Sequence, residues 1–96
     1  MSFLVRFKPA AEAEIVEAFH WYEQQSSGLG SEFLRSVKQA EAMLARNPLQ
    51  YQVQYKEVRR AYLRRFPYAL HYIVEKEVVS VLACFHFRRD PKRWSD

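Results

Sequence analysis

Apolar positions along the chain change their period as the sequence proceeds, and each change predicts an element. Phe3, Val5 and Phe7 alternate with Leu4, Arg6 and Lys8, a period of two that predicts a short strand closed by Pro9. From Pro9 the spacing becomes helical: Ala11, Ile15, Ala18, Phe19 and Tyr22 form a stripe, while Glu12, Glu14, Glu17 and Glu23 lie mostly off it. A proline at the helix start and glutamates in its first turns suit the free N–H groups and positive dipole end there. Gln25-Ser26-Ser27-Gly28 should stop this helix. A second begins near Gly30-Ser31, carries Phe33, Val37, Ala40 and Leu44 along one stripe, and ends at Asn47-Pro48. Two helices joined so tightly form an antiparallel hairpin whose stripes need a sheet to cover.

The second half supplies that sheet. Glu57 to Phe66 carries Val, Tyr, Leu and Phe interrupted by arginines, which fits a strand with one solvated side, and Phe66-Pro67 marks the turn out of it. Tyr68 to Glu75 and Val78 to Phe87 read as strands joined into a hairpin through Glu75-Lys76-Glu77. Strict alternation along the last strand puts Val79, Val81, Ala83, Phe85 and Phe87 on the core face. Ser80, Leu82, Cys84, His86 and Arg88 then fall on the other, partly open face. The expected fold is α+β, in the order β-α-α-β-β-β, with the helical hairpin packed on one face of a small, mainly antiparallel sheet.

Composition limits the function classes. With 96 residues and 49% apolar content the chain can fill one core, so residues 1–96 are expected to form a single domain. Aromatic content of 16% with only two glycines argues against disorder. The lone Cys84 rules out an internal disulfide, and His20, His71 and His86 have no zinc spacing, so neither metal nor cofactor is expected. MSFLVRFKPAAE has no leader-like pattern and no stretch is long enough to span a bilayer, so the expected compartment is the cytoplasm, with no membrane partner.

The net charge of +4 is unevenly placed. Residues 1–55 hold five Lys/Arg against six Asp/Glu, and residues 56–96 hold ten against five, so the halves carry −1 and +5. A clustered positive field attracts an anionic partner, either nucleic acid or an acidic protein segment.

The stretch LRRFPYALHYIVEKEVVSVLACFHFRRDPKRW resembles the RelE/ParE superfamily, especially ParE-like plasmid-stabilisation proteins. A Phe-Pro-Tyr turn leads into one strand, and a final strand runs out into a histidine, Arg-Arg-Asp-Pro and a tryptophan. Trp21-Tyr22, Gly28-Leu29-Gly30 and Asn47-Pro48 agree more loosely. The resemblance implies the growth-inhibiting toxin of a type II toxin-antitoxin pair, with a cognate antitoxin as partner. It also implies a choice of target: DNA gyrase for ParE-like members, ribosome-bound mRNA for RelE-like endoribonucleases, or no target in a member that only binds its antitoxin.

RNA cleavage through the 2′-hydroxyl needs a base, a cation for the phosphorane and an acid for the leaving oxygen. His86, Arg88 or Arg64, and Tyr72 or Tyr62 are the residues for those roles. The resemblance, however, places an arginine of RelE-like enzymes where this chain has Ala69, and a downstream tyrosine where it has Trp94. The reading therefore leans away from an enzyme and towards a binding protein. Its contact residues would be Arg59, Arg60, Arg64 and Arg65, whose forked guanidiniums suit carboxylates and phosphates, then Arg88, Arg89, Lys92, Arg93 and Trp94, and Trp21, which falls off the main helical stripe.

Overall fold

The two helical stripes meet a single five-stranded sheet in a computed structural model that describes residues 2–89. Strand β1 (Leu4–Phe7) leads into helix α1 (Pro9–Gln25) and helix α2 (Leu29–Arg46). A 3-10 turn (Pro48–Gln50) precedes strands β2 (Val53–Tyr55), β3 (Val58–Tyr62), β4 (Tyr68–Glu75) and β5 (Val78–His86). The sheet order is β1-β5-β4-β3-β2, with β1 parallel to β5 and every other pairing antiparallel. The architecture expected from the pattern is present, with one strand more. The sequence reading passed over β2, a three-residue edge strand, because so short an alternation is no signal by itself.

The helical hairpin turns where glycine allows it. Gly28 has φ of 90°, the left-handed region, and stands as the N-cap of α2 with no side chain to offer. Glu23 of α1 takes over the capping: its carboxylate accepts from the Gly28 amide at 3.0 Å and from the Gly30 amide at 2.7 Å. A Cβ at Gly30 would lie 2.7 Å from the Phe19 carbonyl oxygen, so this glycine sets how closely the helices approach. Phe33, Val37 and Leu44 on α2, with Ala11 and Ala18 on α1, bury against Leu70, Tyr72, Val79 and Val81 of the sheet. At one end Tyr22, Phe33, Phe66 and Tyr68 form an aromatic knot, with ring centroids 5.0 to 6.1 Å apart.

The register of β5 departs from strict alternation, and that corrects the expected faces. Tyr72 stands opposite Val81, yet His71 stands opposite Ala83, so Leu82 is an extra residue in a β-bulge. Before the bulge Val79 and Val81 face the helices, as expected. Beyond it every side chain changes sides, because one inserted residue shifts a period of two by half. Cys84 and His86 therefore lie on the helix side, where His86 contacts Tyr68. Phe85 and Phe87 lie on the opposite face, where they meet His71 and Tyr62. Phe85 is still only 2% exposed.

Candidate functional site

The bulge builds the site by aiming the end of β5 at α1. Since β1 pairs with β5 only as far as Val81, the outward amides beyond it have no strand neighbour among the described residues. Glu14 of α1 supplies the partner, its carboxylate accepting from the Cys84 amide at 2.8 Å. A cleft of about 230 Å³ opens beside this contact, lined by Glu14, Glu17, Trp21, Tyr68, His86 and Arg89 among others. Trp21, 48% exposed, forms its rim.

Two residues hold the exit of β5 in place. His86 Nδ1 accepts the backbone N–H groups of Arg88 at 3.2 Å and Arg89 at 3.1 Å, and its ring stands edge-on to Tyr68 with centroids 5.0 Å apart. The Arg89 guanidinium donates to the Tyr68 hydroxyl at 2.9 Å. Burial pushes the Tyr68 pKa up, and the neighbouring Arg89 partly offsets this. The Phe87 amide bonds the Pro67 carbonyl, so the Phe66-Pro67-Tyr68 turn and the end of β5 are tied together.

Of the residues named for RNA cleavage, Tyr72 and Arg64 stand away from His86. With Nδ1 accepting two amides, the proton of a neutral His86 sits on Nε2, which is then a donor and cannot take a proton from a 2′-hydroxyl. Tyr72 is fully buried, donates its hydroxyl to the Pro48 carbonyl, and has a pKa pushed up to about 12 by burial, against a lowering by Arg59. It is four residues along β4 from Tyr68, the residue beside His86, or roughly 13 Å. Arg64 lies in the β3–β4 connection with its carbonyl accepting from Ser36 at 2.8 Å. Ala69 is fully buried between Tyr62 and Phe85 in the ladder and leaves no room for a guanidinium.

The arginines expected to form one contact surface are spread over four places. Arg59 points to the helix side and donates to the Tyr51 carbonyl at 2.5 Å. Arg60 points to the other face, donates to His71 Nε2 at 3.0 Å and covers the Phe85 ring. Arg64 and Arg65 sit in the following turn, where Arg65 has φ of 72° and pairs with Glu32 at 2.9 Å. Arg88 and Arg89 are exposed at the end of β5. Lys92, Arg93 and Trp94 lie outside the described residues. Among the described residues no cluster of His, Cys, Asp and Glu could hold a metal ion, and no helix is long and apolar enough to cross a membrane.

Sequence reasoning missed Glu14 and the pairing of Tyr68 with Arg89. The Glu14 contact joins residues 70 positions apart and leaves no local signal. Tyr68 was visible as part of the Phe-Pro-Tyr turn, but its partner depends on the bulge.

Residues 5–91 match the family described as ParE toxin of the type II toxin-antitoxin system, parDE. No curated protein matches the sequence. Among solved structures, a chain from the chromosomal ParDE TA system of P. aeruginosa shares the fold with a TM-score of 0.78 at 13% identity, over 88% of this chain and 96% of that one.

Proposed function

The chain belongs to the ParE toxin family of type II toxin-antitoxin systems, and from that membership we propose that it inhibits DNA gyrase in the cytoplasm by binding and cleaves no RNA itself. A cognate antitoxin holds it inactive, a reading supported by its likeness to a chain of a ParDE TA system. The observation that carries the binding reading is the state of His86. Its Nδ1 is committed to the Arg88 and Arg89 amides, so it serves as the strut of a basic turn and not as a proton carrier. The exposed guanidiniums of that turn, with the rim ring of Trp21, supply charge and aromatic surface of the kind that dominates protein interfaces.

The test is induction of the chain without antitoxin, with plasmid topology and mRNA ends followed together. Growth should stop with relaxed plasmid and intact mRNA. Charge reversal at Arg88 and Arg89 should weaken the arrest more than His86→Ala does. Codon-phased mRNA cuts that disappear in His86→Ala would overturn the proposal in favour of a ribosome-dependent nuclease. No arrest at all would mark a member that only binds its antitoxin.

A further inference from the structure

The two arginines of the turn after β5 are not equivalent. Arg88 is anchored through its amide, which donates to His86 Nδ1, while its guanidinium reaches no hydrogen-bond or ion-pair partner among the described residues. Arg89 is fixed at both ends. Its amide donates to the carbonyl oxygen of His86 at 3.2 Å and to Nδ1 at 3.1 Å, and its guanidinium donates to the Tyr68 hydroxyl at 2.9 Å.

Tyr68 is itself held by the core. It is 4% exposed, and its ring packs against Tyr22, Phe33 and His86 with centroids 6.1, 5.1 and 5.0 Å away. Its amide bonds the Phe66 carbonyl and its carbonyl accepts the Leu63 amide. The hydroxyl therefore offers Arg89 an acceptor whose place is set by packed rings. A guanidinium carries several N–H donors in one plane, and the bond to Tyr68 uses one of them. The others keep a direction that Tyr68 sets. Arg89 forms no ion pair among the described residues, so its charge is left for a partner.

We propose that Tyr68 is a positioning residue, aiming Arg89 to receive a carboxylate of the target protein in a fixed, forked geometry. Arg88 supplies attraction without a set direction. Two parallel N–H bonds to a carboxylate need the guanidinium plane held, and a side chain ordered beforehand loses less freedom on binding. Glu14 and Glu17 line the same cleft. They repel a nucleic-acid backbone, which carries unbroken charge past them, whereas a single protein carboxylate can reach Arg89 alone. The inference rests on the reading that this turn contacts gyrase, and it divides that contact into one specific and one steering arginine.

The experiment measures binding of purified gyrase to the surface-bound full chain, with a thermal melt of each variant to check folding. Arg89→Lys keeps the charge but loses the fork, and should raise the Kd about tenfold, mainly through faster dissociation. Arg88→Lys should raise it several times less, and Arg88→Ala should act mainly on the association rate. Tyr68→Phe keeps the packed ring. It should weaken binding of the parent yet add nothing in the Arg89→Lys background, since a role exercised through Arg89 disappears with the fork. Equal losses from the two lysine variants, no loss from Tyr68→Phe, or a Tyr68→Phe loss that persists undiminished beside Arg89→Lys would each overturn the proposal. A parent chain that does not bind gyrase but still arrests growth would sink the gyrase reading alone. The same variants are then ranked by growth arrest, where the same order supports the positioning role and equal potency overturns it. A parent that neither binds gyrase nor arrests growth overturns both.

Discussion

Glu23 shows at the scale of one residue how a side chain substitutes for a missing cap. Gly28 is required at the N-cap of α2 by its left-handed φ, and glycine brings no acceptor. The carboxylate from the preceding helix accepts the Gly28 and Gly30 amides instead, and those bonds hold its pKa below the usual value. A depressed carboxylate contributes stability above its unfolded pKa and loses it as pH falls through the folded one. Glu23→Gln should therefore be less stable than the parent at pH 7, with the gap closing below about pH 4. Denaturant melts across that range are the check, and a gap that does not change with pH would show that the charge is irrelevant. Glu23 read from the sequence only as a residue off the apolar stripe, because its role depends on a turn that brings back an amide seven positions away.

Elements were legible where their period was unbroken. Both helices and their buried stripes followed from spacing, and so did β1 and the hairpin of β4 and β5, because burial on one face imposes the period directly. The bulge at Leu82 was not legible. VLACF is apolar on both parities, so no polar residue marks where alternation slips. The slip moves Phe85 from the helix face to the opposite face without exposing it. Phe85→Ala should accordingly cost about 3–5 kcal/mol, as for a buried ring in any core. It should also free Arg60, whose guanidinium lies 5.2 Å from that ring and reaches His71. His86→Ala removes a partly exposed turn contact and should cost about 1 kcal/mol. Thermal melts of both variants test the register, and a reversed order of cost would return His86 to the core and Phe85 to the surface.

At the scale of the molecule, the charge asymmetry becomes geography. Among the described residues of the basic second half, Arg88 and Arg89 stand at the turn after β5, Arg64 and Arg65 in the β3–β4 connection, and Arg59 and Arg60 on opposite faces of β3. The sequence showed that positive charge was concentrated but not that it was divided, because Arg59, Arg60, Arg64 and Arg65 are close in number and point in different directions. The candidate site was legible in its arginines and in His86. It was not legible in the tie between Tyr68 and Arg89, or in the two backbone amides that His86 Nδ1 accepts. Both depend on contacts that only the bulged register creates.

The central claim is inhibition by binding at the Arg88 and Arg89 turn, and supercoiling of relaxed plasmid by purified gyrase with added purified chain tests it most directly. Supercoiling should fall in a dose-dependent way with the parent and with His86→Ala. Arg88→Glu with Arg89→Glu should need several times more protein for the same effect, and the difference should shrink at high salt. Full gyrase activity at saturating parent protein, in a preparation that still stops translation by cutting mRNA, would contradict the account.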